Sequence, residues 1–187
     1  EVFDVLEVKD GFAWGQARRD GYVGFVEADA LDADVRLPTH RVAAIRTFAF
    51  AEPSIKTQAS GPYSLNSLVT VEAREGRFAK LAGSGWVVEA HLTPVGVFET
   101  DPAAVAERFL GAPYLWGGRE SLGLDCSALV QQALMACGQG CPRDTDLQQA
   151  LGEAVDQADL TRGDLVFWKG HVAMMLDGAR IIHANAH

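Results

Sequence analysis

A chain of 187 residues with 48% hydrophobic content can bury a core, which excludes a disordered segment. A formal net charge of -9, with no basic stripe, excludes a partner whose phosphates must be neutralised, so no nucleic acid is expected. No apolar run approaches the roughly 18 residues of a membrane span, no signal peptide is visible, and three cysteines make a poor disulfide framework, so the expected location is the cytoplasm.

Taken in order, the chain first shows an internal repeat. Val5-Leu6-Glu7-Val8-Lys9-Asp10-Gly11-Phe12-Ala13-Trp14 resembles the stretch from Val69 to Lys80, and Gly24-Phe25-Val26-Glu27-Ala28 is echoed by Gly85-Trp86-Val87-Val88-Glu89-Ala90. Each copy reads as strand, charged turn with Gly, strand, Gly-aromatic-Val strand and a brief helical turn. Short alternating strands at this spacing predict a small antiparallel barrel. The Gly-aromatic-Val pattern resembles bacterial SH3 (SH3b) domains, here two in tandem, over 1–37 and 38–98. The alternative is one irregular β domain. The first copy has little chain ahead of Val5, so this domain is expected to be N-terminally truncated. His40 and His91 fall in the β region and read as surface residues.

At Asp101 the period changes. Asp101 is an N-cap with Pro102 at the first helical position, and a short helix through Ala103, Ala104, Ala106 and Leu110 stops at Gly111 and Pro113. Residues 126–136 form a second helix, whose face is Leu129, Val130, Ala133, Leu134 and Cys137, closed by Gly138 and Gly140. Asp144 or Thr145 caps a short helix holding Leu147, Gln148 and Leu151. Strands follow at 164–168, 171–176 and 180–184, giving an α+β domain over 99–187. So thin a sheet predicts further strands beyond this chain. Cys137 and Cys141 are spaced C-x3-C without the further ligands a zinc site needs, so they read as structural thiols. Neither metal nor cofactor is expected.

The chemistry centres on Cys126, which opens the longest helix, near the positive end of the macrodipole where a thiolate is favoured. A cysteine nucleophile needs a base that later protonates the leaving amine, and the base needs an orienting partner. His171 opens one strand and His183 lies near the end of the next. Side chains alternate faces along a strand, so the two histidines share a face only if opposed residues have an even sum. A two-residue turn at Asp177-Gly178 would separate them. A three-residue loop, Asp177-Gly178-Ala179, pairs Leu176 with Arg180 and places both on one face, diagonally related. The odd loop is the prediction.

Tyr114-Leu115-Trp116-Gly117-Gly118, Asp125-Cys126-Ser127, Arg143 followed by Gln148, Gly163-Asp164-Leu165-Val166-Phe167, His171-Val172-Ala173 and Ile182-His183-Ala184 occur in that order. Together they resemble the NlpC/P60 family of papain-like cysteine peptidases, in which SH3b domains commonly precede the catalytic domain. The resemblance implies Cys126 as nucleophile, His171 as general base and acid, and His183 as the orienting group, with Tyr114 facing the thiol. It also implies a murein peptide substrate, cut between D-Glu, through its γ-carboxyl, and a diamino acid. Members with SH3b domains against the cleft resemble recycling enzymes that require a free N-terminal L-Ala. By that resemblance Asp125 and Ser127 bind the ammonium and Tyr22 closes the pocket, while Asp125 as a helix cap is the simpler alternative. Arg143 and Gln148 read as a salt bridge and a helix contact, and Trp116 and Trp168 as core aromatics. Ala128 stands where the family usually has Gly, a change a helix tolerates. Two other readings stay open: an amidase or endopeptidase of the same fold acting on intact wall, and a non-catalytic SH3b wall-binding protein.

Overall fold

The computed structural model describes residues 1–186. They fall into two compact units that divide between Leu37 and Pro38.

The first unit is an antiparallel meander of β1 (Phe3–Lys9), β2 (Phe12–Ala17) and β3 (Val23–Glu27). Lys9 pairs with Phe12, leaving a two-residue turn in which Asp10 and Gly11 both have positive φ, 50° and 82°. That is the turn whose twist matches the flanking strands. Trp14 and Phe25, directly opposed on β2 and β3, meet with centroids 4.7 Å apart and planes tilted by 48°. A 3-10 turn, Ala28–Ala30, closes the meander.

The second unit begins with β4 (His40–Val42), β5 (Arg46–Phe50), β6 (Ala59–Ser64), β7 (Leu68–Val69), β8 (Val71–Glu75), β9 (Phe78–Leu81), β10 (Trp86–Val88) and β11 (Leu92–Pro94). They form two sheets, ordered β6-β5-β10-β9-β8 and β11-β4-β7, around buried Val42, Ala49, Val69, Leu81 and Val87. The repeat seen in the sequence is a repeat in structure. A bulge lies between Val71 and Ala73 as between Val5 and Glu7, Gly76 takes the positive φ of Asp10, and the 3-10 turn Glu89–His91 matches Ala28–Ala30. At Gly85 the backbone of Phe50 passes so close that a Cβ would run into its carbonyl. Gly85→Ala is therefore expected to separate β10 from β5 and cost about 1–3 kcal/mol of stability, read from thermal unfolding.

After β11 come α1 (Pro102–Glu107), the small hairpin β12 (Arg119–Glu120) and β13 (Gly123–Leu124), α2 (Cys126–Ala136), α3 (Thr145–Gln148), and the antiparallel sheet β14 (Leu165–Trp168), β15 (His171–Met175) and β16 (Ile181–Ile182). The Asp101 carboxylate accepts from the Ala104 amide at 3.1 Å and Pro102 fills the first turn of α1. Every residue of α2 is buried. This helix is the axis of the domain, packed between α1 and β15. The β region before it shares its core: Leu65 and Ile45 join the cluster around Leu129, Val130 and Val172. Buried Arg41 donates to the Ala136 carbonyl at 3.2 Å, and Asn66 Nδ2 to the Gln132 carbonyl at 2.9 Å. The change of pattern near Asp101 thus marks where strands give way to helices, while one compact unit spans both sides of it.

Candidate active site

The candidate site is assembled from one hairpin and one helix terminus. Met174 pairs with Ile182 and Met175 with Ile181, and the Leu176 amide donates to the Arg180 carbonyl at 2.8 Å. The loop is therefore Asp177-Gly178-Ala179, whose carboxylate closes it by accepting from the Ala179 and Arg180 amides. With this even register His171 and His183 meet, His171 Nε2 lying 2.9 Å from His183 Nδ1 with the rings nearly perpendicular at 80°. Burial, and after it the adjacent His183, hold the His171 pKa below its ordinary value. The pair lines a cleft of about 290 Å³ with Tyr114, Trp168, Asn185 and Ala186.

Cys126 heads α2, which packs on β15. Its thiol is buried, with Thr145 Oγ1 at 3.8 Å. Tyr114 is fixed by bridging Leu124, flanked by the bonds Leu115 N–H to Leu124 O at 3.1 Å and Leu124 N–H to Pro113 O at 3.2 Å. Burial, then the nearby Cys126 and Asp125, push its phenol up. Tyr114 thus links the two parts of the site: it lines the cleft with His171 and His183 and lies near Cys126 at the head of α2.

Asp125 and Ser127 are engaged differently from the amine-binding expectation. Asp125 Oδ1 accepts from the Ala128 amide, Ser127 Oγ and Arg143 Nη1 at 2.9, 3.2 and 2.9 Å. Its Oδ2 accepts from the Gly117 amide at 2.9 Å and Arg143 Nη2 at 2.7 Å. A carboxylate offers about four lone-pair positions, so this one is saturated. Burial raises the Asp125 pKa, but the Arg143 hydrogen bonds and the Ala128 and Gly117 amides outweigh it and leave the carboxyl below its usual range. Ser127 Oγ also accepts from Arg143 Nη1 at 2.9 Å. Gln148 Nε2 donates to the Ser127 carbonyl at 2.9 Å and to the Pro142 carbonyl at 2.8 Å, tying α3 to the head of α2. Tyr22 belongs to the first unit. It sits half-exposed ahead of β3, its amide donating to Asp20 Oδ1 at 3.1 Å.

The reading of Trp116 and Trp168 as core aromatics is corrected. Trp116 is 85% exposed, because it occupies the turn that closes with Gly118 N–H donating to the Leu115 carbonyl. Trp168 lies directly opposite His171 and stacks on its imidazole, centroids 4.6 Å apart and planes at 29°. A signal for it was present in Trp168-Lys169-Gly170-His171: a two-residue turn with Gly170 at φ 73° makes Trp168 and His171 cross-strand neighbours on one face. Thr145 was missed too, and only the folding of α3 against α2 brings it to the thiol. Among the described residues no cluster of His, Cys, Asp or Glu could hold a metal ion, and no helix is long and apolar enough to cross a membrane.

Known proteins resemble this chain in both of its parts. Residues 111–187 match the model of the NlpC/P60 family, and residues 1–31 that of the bacterial dipeptidyl-peptidase SH3 domain. Residues 111–187 are thus similar to an NlpC/P60 domain. The chain is 30% identical over 186 residues to a gamma-D-glutamyl-L-lysine dipeptidyl-peptidase of Bacillus subtilis, an overlap covering 90% of this chain and 62% of that protein. A Bacillus cereus protein of the same name is 39% identical over 84 residues, 41% of this chain and 25% of that one. The chain therefore spans under two thirds of either relative. In three dimensions it superposes on the crystal structure of an NlpC/P60 family protein from Bacillus cereus with a TM-score of 0.82 at 24% identity, over 97% of this chain and 70% of that one. That likeness establishes the fold. The NlpC/P60 region includes the Tyr114 bridge, α2 with Cys126 at its head, and the hairpin that carries both histidines.

Proposed function

We propose that this protein is a cysteine peptidase of the NlpC/P60 type, hydrolysing the bond between the γ-carboxyl of D-Glu and a diamino acid in short murein peptides that bear a free N-terminal L-Ala. The observation that carries the reading is the 2.9 Å contact of His171 Nε2 with His183 Nδ1, in a cleft that Tyr114, a neighbour of Cys126, also lines. With the Nε2 proton donated to His183, His171 keeps its Nδ1 lone pair for the thiol, and His183 fixes both ring plane and tautomer. The Cys126 thiolate attacks the γ-carbonyl carbon, and the tetrahedral intermediate collapses as His171 returns a proton to the leaving α-amine. A thioester forms and the diamino acid departs. Water, deprotonated by His171, then attacks the thioester carbonyl, releasing the L-Ala-γ-D-Glu acid and restoring the thiol.

The bond is suggested by the names of the relatives, gamma-D-glutamyl-L-lysine dipeptidyl-peptidases, and the free amine by the resemblance to recycling enzymes that carry SH3b domains. Because Arg143 saturates Asp125, an ammonium reaching that carboxylate has to compete with a guanidinium. The test is release of free L-lysine from L-Ala-γ-D-Glu-L-Lys, compared with the N-acetylated tripeptide and with intact sacculi. The expected result is turnover of the free tripeptide alone. Equal cleavage of the acetylated peptide, or cleavage of sacculi only, would replace this reading with that of a wall endopeptidase. Sacculus binding without cleavage of any substrate would replace it with that of a wall-binding protein.

A further inference from the structure

We propose that Trp168 is a positioning residue for the reaction, its indole face fixing the plane of the His171 imidazole and covering the His171–His183 contact. The inference rests on the catalytic role proposed for His171, and its grounds are geometric. Trp168 is the direct cross-strand partner of His171 across the turn at Lys169 and Gly170. Its ring lies face to face with His171 at 4.6 Å and presents an edge to His183 at 6.0 Å and 69°. No other aromatic side chain among the described residues stacks on either histidine. Being 43% exposed and on the wall of the cleft, the indole is not a core residue that happens to touch the site.

The chemistry asks for such a group. His171 must turn its Nδ1 toward the head of α2 while its Nε2 holds His183, and one hydrogen bond leaves the ring free to rock about that contact. A stacked indole removes that freedom at no cost in polarity, because it makes no competing hydrogen bond with either ring nitrogen. It also keeps water from one side of the His171–His183 bond, which strengthens that bond. When His171 takes up the thiol proton, the π face of the indole attracts the imidazolium. This opposes the burial and the His183 neighbour that disfavour the charge. The titratable or charged groups beside His171 are His183 and Tyr114 in the same cleft and Lys169 in the connecting turn, while Cys126 heads the helix that packs on β15.

The alternative role for an exposed cleft tryptophan is a platform for substrate, and the two roles separate in kinetics and in titration. Trp168→Phe, which keeps a stacking ring, and Trp168→Ala are compared with the wild-type chain on L-Ala-γ-D-Glu-L-Lys, and His171 is titrated by proton–carbon NMR in all three. Positioning predicts that the Ala variant loses about 10²-fold in kcat with KM unchanged, since a ring displaced by an ångström misses its partner. It predicts that Phe restores most of the loss. It also predicts that the titration and ring environment of His171 differ between Ala and wild type, because the ring has lost the face that fixes it. A raised KM with kcat intact would overturn the proposal in favour of a substrate platform, as would a His171 titration and ring environment identical in wild type and Ala. Should the wild-type chain leave the tripeptide uncut, the catalytic reading fails by itself, and the NMR comparison still decides whether the indole holds the ring.

Discussion

Cys126→Ala is expected to lower hydrolysis of L-Ala-γ-D-Glu-L-Lys by at least about 10⁴-fold, some 5 kcal/mol of transition-state stabilisation, while leaving the fold intact. The size follows from what is lost: without sulfur no thioester forms, and water must attack an unactivated amide directly. The fold survives because the side chain becomes only slightly smaller at the first residue of a helix held by Asp125 and by the full length of its buried face. His183→Ala should cost about 10²-fold or more, since His171 then loses the acceptor of its Nε2 proton. His183→Gln, whose amide carbonyl can accept the same proton, should recover part of that loss. This separates an orienting hydrogen bond from a need for a second titrating ring. The measurements are steady-state rates of lysine release, with circular dichroism to confirm folding. A Cys126→Ala chain as active as wild type would remove the nucleophile from the proposal altogether.

How much of this was legible in the sequence depends on how local the physics is. The limits of α2 come directly from neighbours in the chain, Asp125 capping its start and Gly138 at φ 77° ending it. The hairpin loop was fixed by parity, because only an odd loop lets His171 and His183 share a face. The repeat was readable down to its turns, since the residues that tolerate positive φ in each copy are adjacent to the strands they join. Long-range partnerships were not readable. Arg41 and Asn66 look like ordinary strand and turn residues, yet they reach Ala136 and Gln132 on α2, and no local pattern announces a partner so far along the chain. Trp168 was misjudged for a related reason. An aromatic in a strand has two faces available, and hydrophobicity favoured the core, whereas the register opposite His171 put it in the cleft. Asp125 showed both sides of the matter: the cap was local and visible, while the saturation of its carboxylate came from an arginine in a distant loop.

That arginine carries the largest expected effect on stability. Arg143→Met should destabilise the second unit by about 3–5 kcal/mol, read as a lower urea midpoint, because it strands the Asp125 carboxylate beside the head of α2. The ion pair is 2.7 Å long and its side chains are 6% and 11% exposed, so water cannot take over the work of the guanidinium. Asp125→Asn alone should cost less, since the amide oxygen can still cap Ala128, and Asn together with Met should recover much of what Met alone loses, because no charge is left buried. A positive coupling in that cycle is the signature of the pair. The dependence on pH has a definite sign. Asp125 titrates below its unfolded value of about 3.9, so its contribution is fully present above that pH and disappears as pH falls through the lower folded value. In Arg143→Met burial acts on the carboxyl with only its amide and Ser127 donors left, its pKa rises, and stability should begin to fall at higher pH than in wild type. Identical acid-unfolding profiles for the two chains would show that Arg143 does not hold the charge state of Asp125. The same pair then bears on the proposed catalysis, since the carboxylate that caps α2 is one residue from the thiol, and the stability of that cap sets how firmly the head of the helix holds Cys126.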